Sequence, residues 1–465
     1  MITKLGERFT HLFLKYMPNS FVFAILLTLI TGIGAFIWLD AAPLKIIVSW
    51  YDGFFDLLTF GMQIVLIIIT GFSIALSPTI NKCIDKLTVF INSPKQVYFL
   101  VVMIGMILSL ISFGWIVITC VFARELALRV KGINYPFLIA CVYLSFGNWV
   151  SGLSSSIPLL LNTEKNYLIE TGILTDVIST SYTLGSTLNI TMMVLFIVVA
   201  PLVMVLLVPK KKNIKELSDL LVTKDKTKEL SIKEEAIGLK LPFKSISDKL
   251  NNSTILQMVI VIMGLTYIIY HFSTKGLDLN FNIMIFIFLI VGLFLHKTPM
   301  RYVISMKRSC SNISGIIFQY PFYAGIMGIM LYTGLGEKLG QLLASFATID
   351  SYPFYAYITG AIVNFAIPSA GGEFAVVGPS IINAVKEIGA GLPQEEITAM
   401  ISRASLSIAY GESLSNLLQP FYLLLVFPIM GKGIKIQARD VMGYLALPFL
   451  LFFIIQIMMV LWIPL

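Results

Sequence analysis

Tyr410-Gly-Glu-Ser-Leu-Ser-Asn-Leu-Leu-Gln-Pro420 is a polar, glycine-broken patch inside an apolar run long enough to span a bilayer. A near twin, Phe146-Gly-Asn-Trp-Val-Ser-Gly-Leu-Ser-Ser-Ser156, lies earlier in the chain. Gly147, Ser151 and Leu153 match Gly411, Ser415 and Leu417, each pair 264 residues apart. Polar side chains and a carboxylate are costly in hydrocarbon, so they persist mainly where they line a cavity or a site. Two related patches, one per half, are how the discontinuous helices of membrane carriers read in sequence.

Composition agrees. Of 465 residues, 57% are hydrophobic and 12% charged, and the mean hydropathy is +0.88. Runs near 20 residues, at Phe21–Leu39, Leu57–Leu76, Leu184–Val208, Thr254–Phe272 and Val441–Ile463, read as membrane spans. The expected fold class is therefore an all-α polytopic membrane protein. The net charge of +8 is no nucleic-acid signal, because the basic residues cluster beside span ends, where they set orientation. Cys83, Cys120, Cys141 and Cys310 show no metal or disulfide spacing and are expected to be small, reduced and buried.

Charge parity orders the elements. Lys4, Arg8 and Lys15 precede the first run, which puts the N-terminus inside; the run is too long for a signal core, so it reads as a retained span. Residues 96–131 exceed one span, break at Ser112-Phe-Gly-Trp115, and carry basic residues at both ends. A re-entrant hairpin from the cytoplasmic side satisfies this, with one long kinked helix as the alternative. A broken helix at 136–161 comes next, and residues 1–208 form a first repeat. Residues 209–253 are a charged linker expected in the cytoplasm, and 254–272 an extra span that inverts the second half. Residues 273–465 form a second repeat, with an outer-side hairpin at 352–386, broken at Ile367-Pro-Ser-Ala-Gly-Gly-Glu373, and a broken helix at 399–430. Ser112 and Gly114 match Ser369 and Gly371 at a spacing of 257. The expectation is an inverted-repeat transporter with about nine full crossings, the N-terminus in, the C-terminus out and the site at the midplane.

Half-helix N-termini expose N–H groups and the positive end of the helix dipole, which suit an anion. Carbonyls at the opposite ends suit a small cation. Candidate binding residues are Ser112 and Gly114 at the first tip and Asn148, Ser151 and Ser155 in the first break. Ser369, Gly371, Gly372 and Glu373 lie at the second tip, where Pro368 stops the preceding helix and the glycines are expected to let the chain turn. Glu412, Ser413, Ser415 and Asn416 lie in the second break. Glu373 and Glu412 are the sharpest signals, for cation coordination or proton carriage; the alternative is a carboxylate capping a half-helix N-terminus, worth about 1 kcal/mol. Asn148, matching Glu412, keeps polarity without charge. The one metal expectation is sodium near Glu412 and Asn416, and no cofactor is expected beyond a coupling proton or sodium ion. Arg124 is expected to snorkel or to pair with Glu125, and Trp115 and Trp149 are candidate pocket walls. His11, His271 and His296 stand apart and no catalytic triad or phosphate loop is visible, so an enzyme is not expected.

The chain resembles the bacterial short-chain fatty acid transporter family along essentially its full length. The resemblance rests on Leu-Leu-Thr28, Tyr51-Asp-Gly-Phe54, Phe60-Gly-Met-Gln63, Phe122-Ala-Arg-Glu125, Tyr135-Pro136, Ser156-Ile-Pro-Leu159 and Pro368-Ser-Ala-Gly-Gly-Glu373. It implies uptake of acids such as butyrate or acetoacetate across the bacterial inner membrane by a multi-pass protein. It also implies a distant likeness to the ion-transporter superfamily of elevator carriers, usually dimers with paired hairpins. Those relatives often carry Ser-Asn-Thr at their tips, where this chain has Ser112-Phe-Gly and Ser369-Ala-Gly-Gly. The function expected is cation-coupled secondary transport of a small monocarboxylate, with dicarboxylates and other organic anions as the alternative. The expected partners are that carboxylate, the lipid bilayer and a second copy of the chain, and no nucleic acid.

Overall fold

The computed structural model of the chain describes residues 15–465 except 17, 57, 81, 83–85, 87–90, 92, 112, 164–165, 171, 210–213, 222–230, 242, 244, 277–280 and 311–312. Ser112, Cys83 and His11 lie outside the described residues. The fold is all-helical, and no β-strand occurs among the described residues beyond an isolated bridge, Leu221–Ile434. A helix satisfies its own backbone in lipid, which is why apolar runs of this kind adopt it.

In chain order the principal helices are α1 (Ser20–Leu39), α2 (Pro43–Asp56), α3 (Leu58–Ala75), α4 (Pro94–Ile111), α5 (Ile116–Arg129), α6 (Tyr135–Ser145), α7 (Ser156–Leu161) and α8 (Thr187–Leu206). They continue as α9 (Thr254–Lys275), α10 (Phe281–His296), α11 (Pro299–Cys310), α12 (Ser314–Thr333), α13 (Leu335–Ala344), α14 (Tyr352–Val363), α15 (Ala370–Ile388), α16 (Gln394–Ser415), α17 (Leu423–Met430) and α18 (Ala446–Trp462). Five helical stretches among the described residues are long and apolar enough to cross a membrane: Phe21–Leu39, Pro94–Ile111, Tyr135–Leu161, Thr187–Leu206 and Ile246–Lys275. The pair Gln394–Leu418 and Leu423–Met430, bent by 48°, makes a sixth if it is one span.

Starts are set locally. Asn134 accepts from Phe137 N at 3.2 Å and Ser186 from Asn189 N at 3.2 Å, capping α6 and α8. The helices then sort by environment. α1 and α9 expose large aliphatic side chains, with Ile37 at 72% and Ile255 at 79%, as suits helices whose solvent is lipid. α6, in contrast, is buried along its whole length. α2 meets α12 where an added Cβ on Gly53 would lie 2.4 Å from Gly328 Cα, the close backbone approach that small residues permit between membrane helices. Phe322 packs edge-on against Phe21 and Phe54 across this contact.

The charged linker contains short helices at Leu217–Leu220, Ile232–Gly238 and Ile246–Asn251. Its first part is fastened near α6: Tyr135 N donates to Lys215 O (2.9 Å), Gly132 N to Glu216 Oε1 (2.9 Å) and Lys435 N to Leu220 O (3.4 Å). Its next part is fastened to α11 by the Glu235–Arg308 ion pair and by Ile232 and Ala236, buried with Ile304. One expectation fails: Cys310 is exposed at the end of α11, while Cys120 and Cys141 are buried as expected. Cys310 ends a basic stretch, following Lys307, Arg308 and Ser309, and is not part of an apolar run.

Candidate substrate and cation site

Both polar patches interrupt a helix. α6 passes into a 3-10 segment, Phe146–Ser151, before α7 begins at Ser156; α16 passes into a 3-10 turn, Asn416–Leu418, before α17 begins at Leu423. α4 and α5 are joined at a 3-10 turn, Phe113–Trp115, and α14 and α15 by residues 364–369. These four irregular segments touch one another. Ser413 Oγ donates to Gly147 O at 2.7 Å, linking the breaks. Tyr422 Oη donates to Pro368 O at 3.1 Å, linking the second break to the second tip. An ideal Cβ on Gly371 would lie 3.7 Å from Ser156 Cβ, bringing the second tip against the first break. Phe113 completes the ring, with centroids 4.6 Å from Phe146, 5.3 Å from Trp149 and 5.7 Å from Tyr422.

Glycine makes each half tight. A Cβ on Gly411 would fall 2.1 Å from Tyr357 O in α14, and one on Gly152 would fall 2.3 Å from Leu110 O in α4. Any side chain at either place would drive the broken helix off its neighbour. Gly114 abuts Ile67 of α3. Gly371 and Gly372 do not make the expected turn: they sit in the first turn of α15 without positive φ, because residues 364–369 have already reversed the chain. Their effect is to keep the helix start uncovered. The N–H groups of Ala370, Gly371 and Gly372 have no acceptor among the described residues, since the first bond into α15 is Glu373 N to Ser369 O at 2.7 Å. Neither Ser369 nor Ser155, the N-cap residues of α15 and α7, spends its hydroxyl on the cap. The Ser155 and Ser156 hydroxyls are buried and without partners.

Glu373 and Glu412 are both fully buried. Neither oxygen of Glu373 has a hydrogen-bond partner; Glu412 Oε1 accepts from Asn416 Nδ2 at 3.1 Å while Oε2 has none. Neither carboxylate makes a capping hydrogen bond, although Glu373 stands in the first turn of α15, where the helix dipole favours negative charge. Around Glu412 lies a network of amides. Asn416 Oδ1 accepts from Asn364 Nδ2 (3.0 Å) and Gln419 Nε2 (2.8 Å), and Asn364 Nδ2 also donates to Ser415 Oγ (2.7 Å). Tyr143 Oη donates to both Asn416 O and Gln419 O at 2.9 Å, holding the break from the first half.

The first break is looser. Asn148 Nδ2 reaches only Met193 O, at 3.4 Å, and its Oδ1 is unpartnered. Asn189 Nδ2 donates to Ser151 O at 3.0 Å, and Asn189 Oδ1 accepts from Tyr410 at 2.9 Å. Asn189, Asn364, Gln419 and Tyr143 join these hydrogen-bond networks without having been singled out from the sequence. Gln419 stands inside the opening patch, whereas Asn364 is one amide in an apolar run and offers little signal. Arg124 is not paired with Glu125, which bonds Arg129 instead. Its guanidinium donates to Ile429 O (3.0 Å), Met430 O (2.9 Å) and Lys432 O (2.7 Å), closing the C-terminal end of α17. Arg403 does the same for α18, donating to Val460 O and Ile463 O. Trp149 joins the aromatic cluster at the tips, while Trp115 stacks on Phe288.

The model of the short chain fatty acid transporter family matches residues 1–463. A protein of Escherichia coli K12, provisionally named a short-chain fatty acid transporter, is 34% identical over 446 residues, 96% of each chain. A Haemophilus influenzae protein with the same provisional name is 33% identical over 449 residues, again 96% of each. Among solved structures, the Alcanivorax borkumensis YdaH transporter aligns over 98% of both chains at 15% identity and a TM-score of 0.42. Neisseria gonorrhoeae MtrF aligns over 97% of this chain and 96% of its own at 16% identity and a TM-score of 0.39. The chain is a multi-pass transporter of the bacterial inner membrane rather than an enzyme, and it belongs to the short-chain fatty acid transporter family.

Proposed function

We propose that the protein is a secondary carrier that moves a butyrate- or acetoacetate-like monocarboxylate together with a proton or sodium ion. The observation that carries this reading is the meeting of four helix breaks around two buried carboxylates that lack a basic partner among the described residues. In this reading the substrate carboxylate lies against the free N–H groups of Ala370, Gly371 and Gly372, near the Ser155, Ser156 and Ser369 hydroxyls, where the dipole of α15 favours negative charge. Glu373 and Glu412 bear the coupling cation. Asn148, Ser151, Ser413, Ser415 and Gly114 shape the breaks around it. A dicarboxylate would bring its second charge toward Glu412 and not toward a base, which favours the monocarboxylate.

Movement is assigned to an elevator-type exchange within an inverted repeat of nine crossings, N-terminus in and C-terminus out. The two helix pairs α4–α5 and α14–α15 and the broken helices α6–α7 and α16–α17 form the moving core; α1–α3 and α9–α12 form the scaffold and dimer contact. What supports this division is the smooth seam between the groups, with Gly114 against Ile67, Gly372 against Met327 and Tyr323 against Phe421 at 4.8 Å. Purified protein in liposomes should accumulate radiolabelled butyrate under an imposed sodium or pH gradient, with succinate a poor competitor. No accumulation under either gradient overturns the reading.

A further inference from the structure

A cavity of about 730 Å3 lies where α18 ends, between the loop that leads into α14 and the first part of α16. Its walls include Asp350, Tyr352, Tyr355, Arg403, Leu461 and Trp462. We propose that it is a headgroup site for one phospholipid of the ethanolamine type, with the phosphate on Arg403 and the primary ammonium on Asp350. The site stands independently of the carrier reading above.

Two unanswered charges border this one space. Arg403 is half-buried and spends guanidinium N–H groups on the carbonyls of Val460 (3.2 Å) and Ile463 (2.8 Å). A guanidinium carries five N–H donors in a fork, so donors remain for phosphate oxygens. No ion pair to Arg403 occurs among the described residues, which leaves its charge answered only by backbone dipoles. Asp350 is exposed on the same cavity, and its carboxylate has no hydrogen bond or ion pair among the described residues. The two do not close on each other, so a ligand bearing both signs of charge can answer both. The volume falls within the range of about 300–1,000 Å3 usual for ligand sites.

Position favours a bilayer lipid over a dissolved ion. α18 is apolar but for Gln456, and Trp462, 71% exposed, stands at its last residue. Tyr352, Phe354 and Tyr355 stand at the start of α14, on the same cavity. Aromatic residues at the ends of membrane helices mark the headgroup level. Leu461 and Trp462 give the cavity an apolar wall, against which the glycerol and first acyl carbons can lie while the headgroup reaches the charges. Two other cavities, one lined by Phe54, Gly61 and Tyr320 and one by Thr28, Phe36 and Trp50, have no charged side chain in their walls. They suit acyl chains alone, whereas this one can tell headgroups apart. An anionic glycerol headgroup brings no ammonium and sets a like charge near Asp350; an ethanolamine headgroup satisfies both sides.

The test uses full-length protein, stripped of lipid in detergent and then given phosphatidylethanolamine, phosphatidylglycerol, butyrate or inorganic phosphate. Native mass spectrometry and the melting temperature are the readouts. Phosphatidylethanolamine should be retained saturably, with one copy per chain held about tenfold more tightly than phosphatidylglycerol, and should raise the melting temperature. Asp350→Asn, a change on an exposed side chain with no partner of its own, should bring the two lipids to equal retention. Arg403→Lys should weaken both lipids by about tenfold, because an ammonium cannot fork between carbonyls and phosphate. Should Arg403→Lys not fold, since it also loosens the end of α18, Asp350→Asn decides. Equal retention of the two lipids by the native protein, or an unchanged preference in Asp350→Asn, overturns the site. So does a rise in melting temperature with butyrate or phosphate as large as with the ethanolamine lipid, which would make the cavity a vestibule for dissolved anions.

Discussion

The two breaks share a backbone plan and differ in chemistry. In the first, Gly152 is pressed onto Leu110 O, Asn148 holds a single long hydrogen bond, and the Ser155 and Ser156 hydroxyls are free. In the second, the equivalent of Gly152 is Asn416, which gathers Asn364, Gln419 and Glu412 around one amide. One break therefore offers donors beside an uncovered helix start, and the other offers acceptors. The carrier proposed above, which would take an anion together with a cation, would need both. Breaks that had stayed alike would have offered two equal sites and no distinction between ion and substrate.

The comparison breaks if the carboxylates are idle. Glu412→Gln and Glu373→Gln should each reduce coupled uptake by 30-fold or more, taking about 2–5 kcal/mol for the lost contact with the proposed coupling cation, by analogy with a buried charge pair. Melting temperature should hold or rise, since an unpaired buried carboxylate is removed. Wild-type uptake in both variants would mean the asymmetry has no part in coupling. Next in size is Arg124→Ala, which strips three carbonyls at the end of α17 of their donor and should lower stability by about 2–4 kcal/mol. Arg124→Lys should recover little of this, because an ammonium cannot fork across the same oxygens. A smaller effect is expected from Asn148→Asp, which puts a charge into the neutral break beside Met193 O; stability should fall by about 1–3 kcal/mol, read from the melting temperature. The smallest is Ser155→Ala, a few-fold rise in the butyrate concentration for half-maximal uptake with the sodium response intact. A change in sodium response there would blur the division between the breaks.

The architecture is legible in the sequence because lipid imposes it: long apolar runs form helices, and the glycine- and serine-rich patches stand out against them. Glu373 and Glu412 are legible for the same reason, a charge where none is cheap. Less legible are the partners. Asn364 looks like any lone amide within Ala361-Ile-Val-Asn-Phe365, and its importance depends on α14 meeting α16, which no local pattern encodes. Arg124 shows the limit most plainly. Its distance along α5 from the first tip can be counted, but the carbonyls it holds lie some 300 residues further along the chain. At the second tip the glycines look like the turn, yet the residues before them have already made it.

The linker is gripped twice, at Lys215–Leu221 beside α6 and at Ile232–Gly238 on α11, with residues 222–230 between the grips. Meanwhile Arg124, Tyr143 and Ser413 stitch the first half to the second through bonds of their own. These contacts between the halves do not pass through 222–230. Two fragments divided there and made together are expected to reassemble in the bilayer, which restored butyrate uptake on co-expression would check.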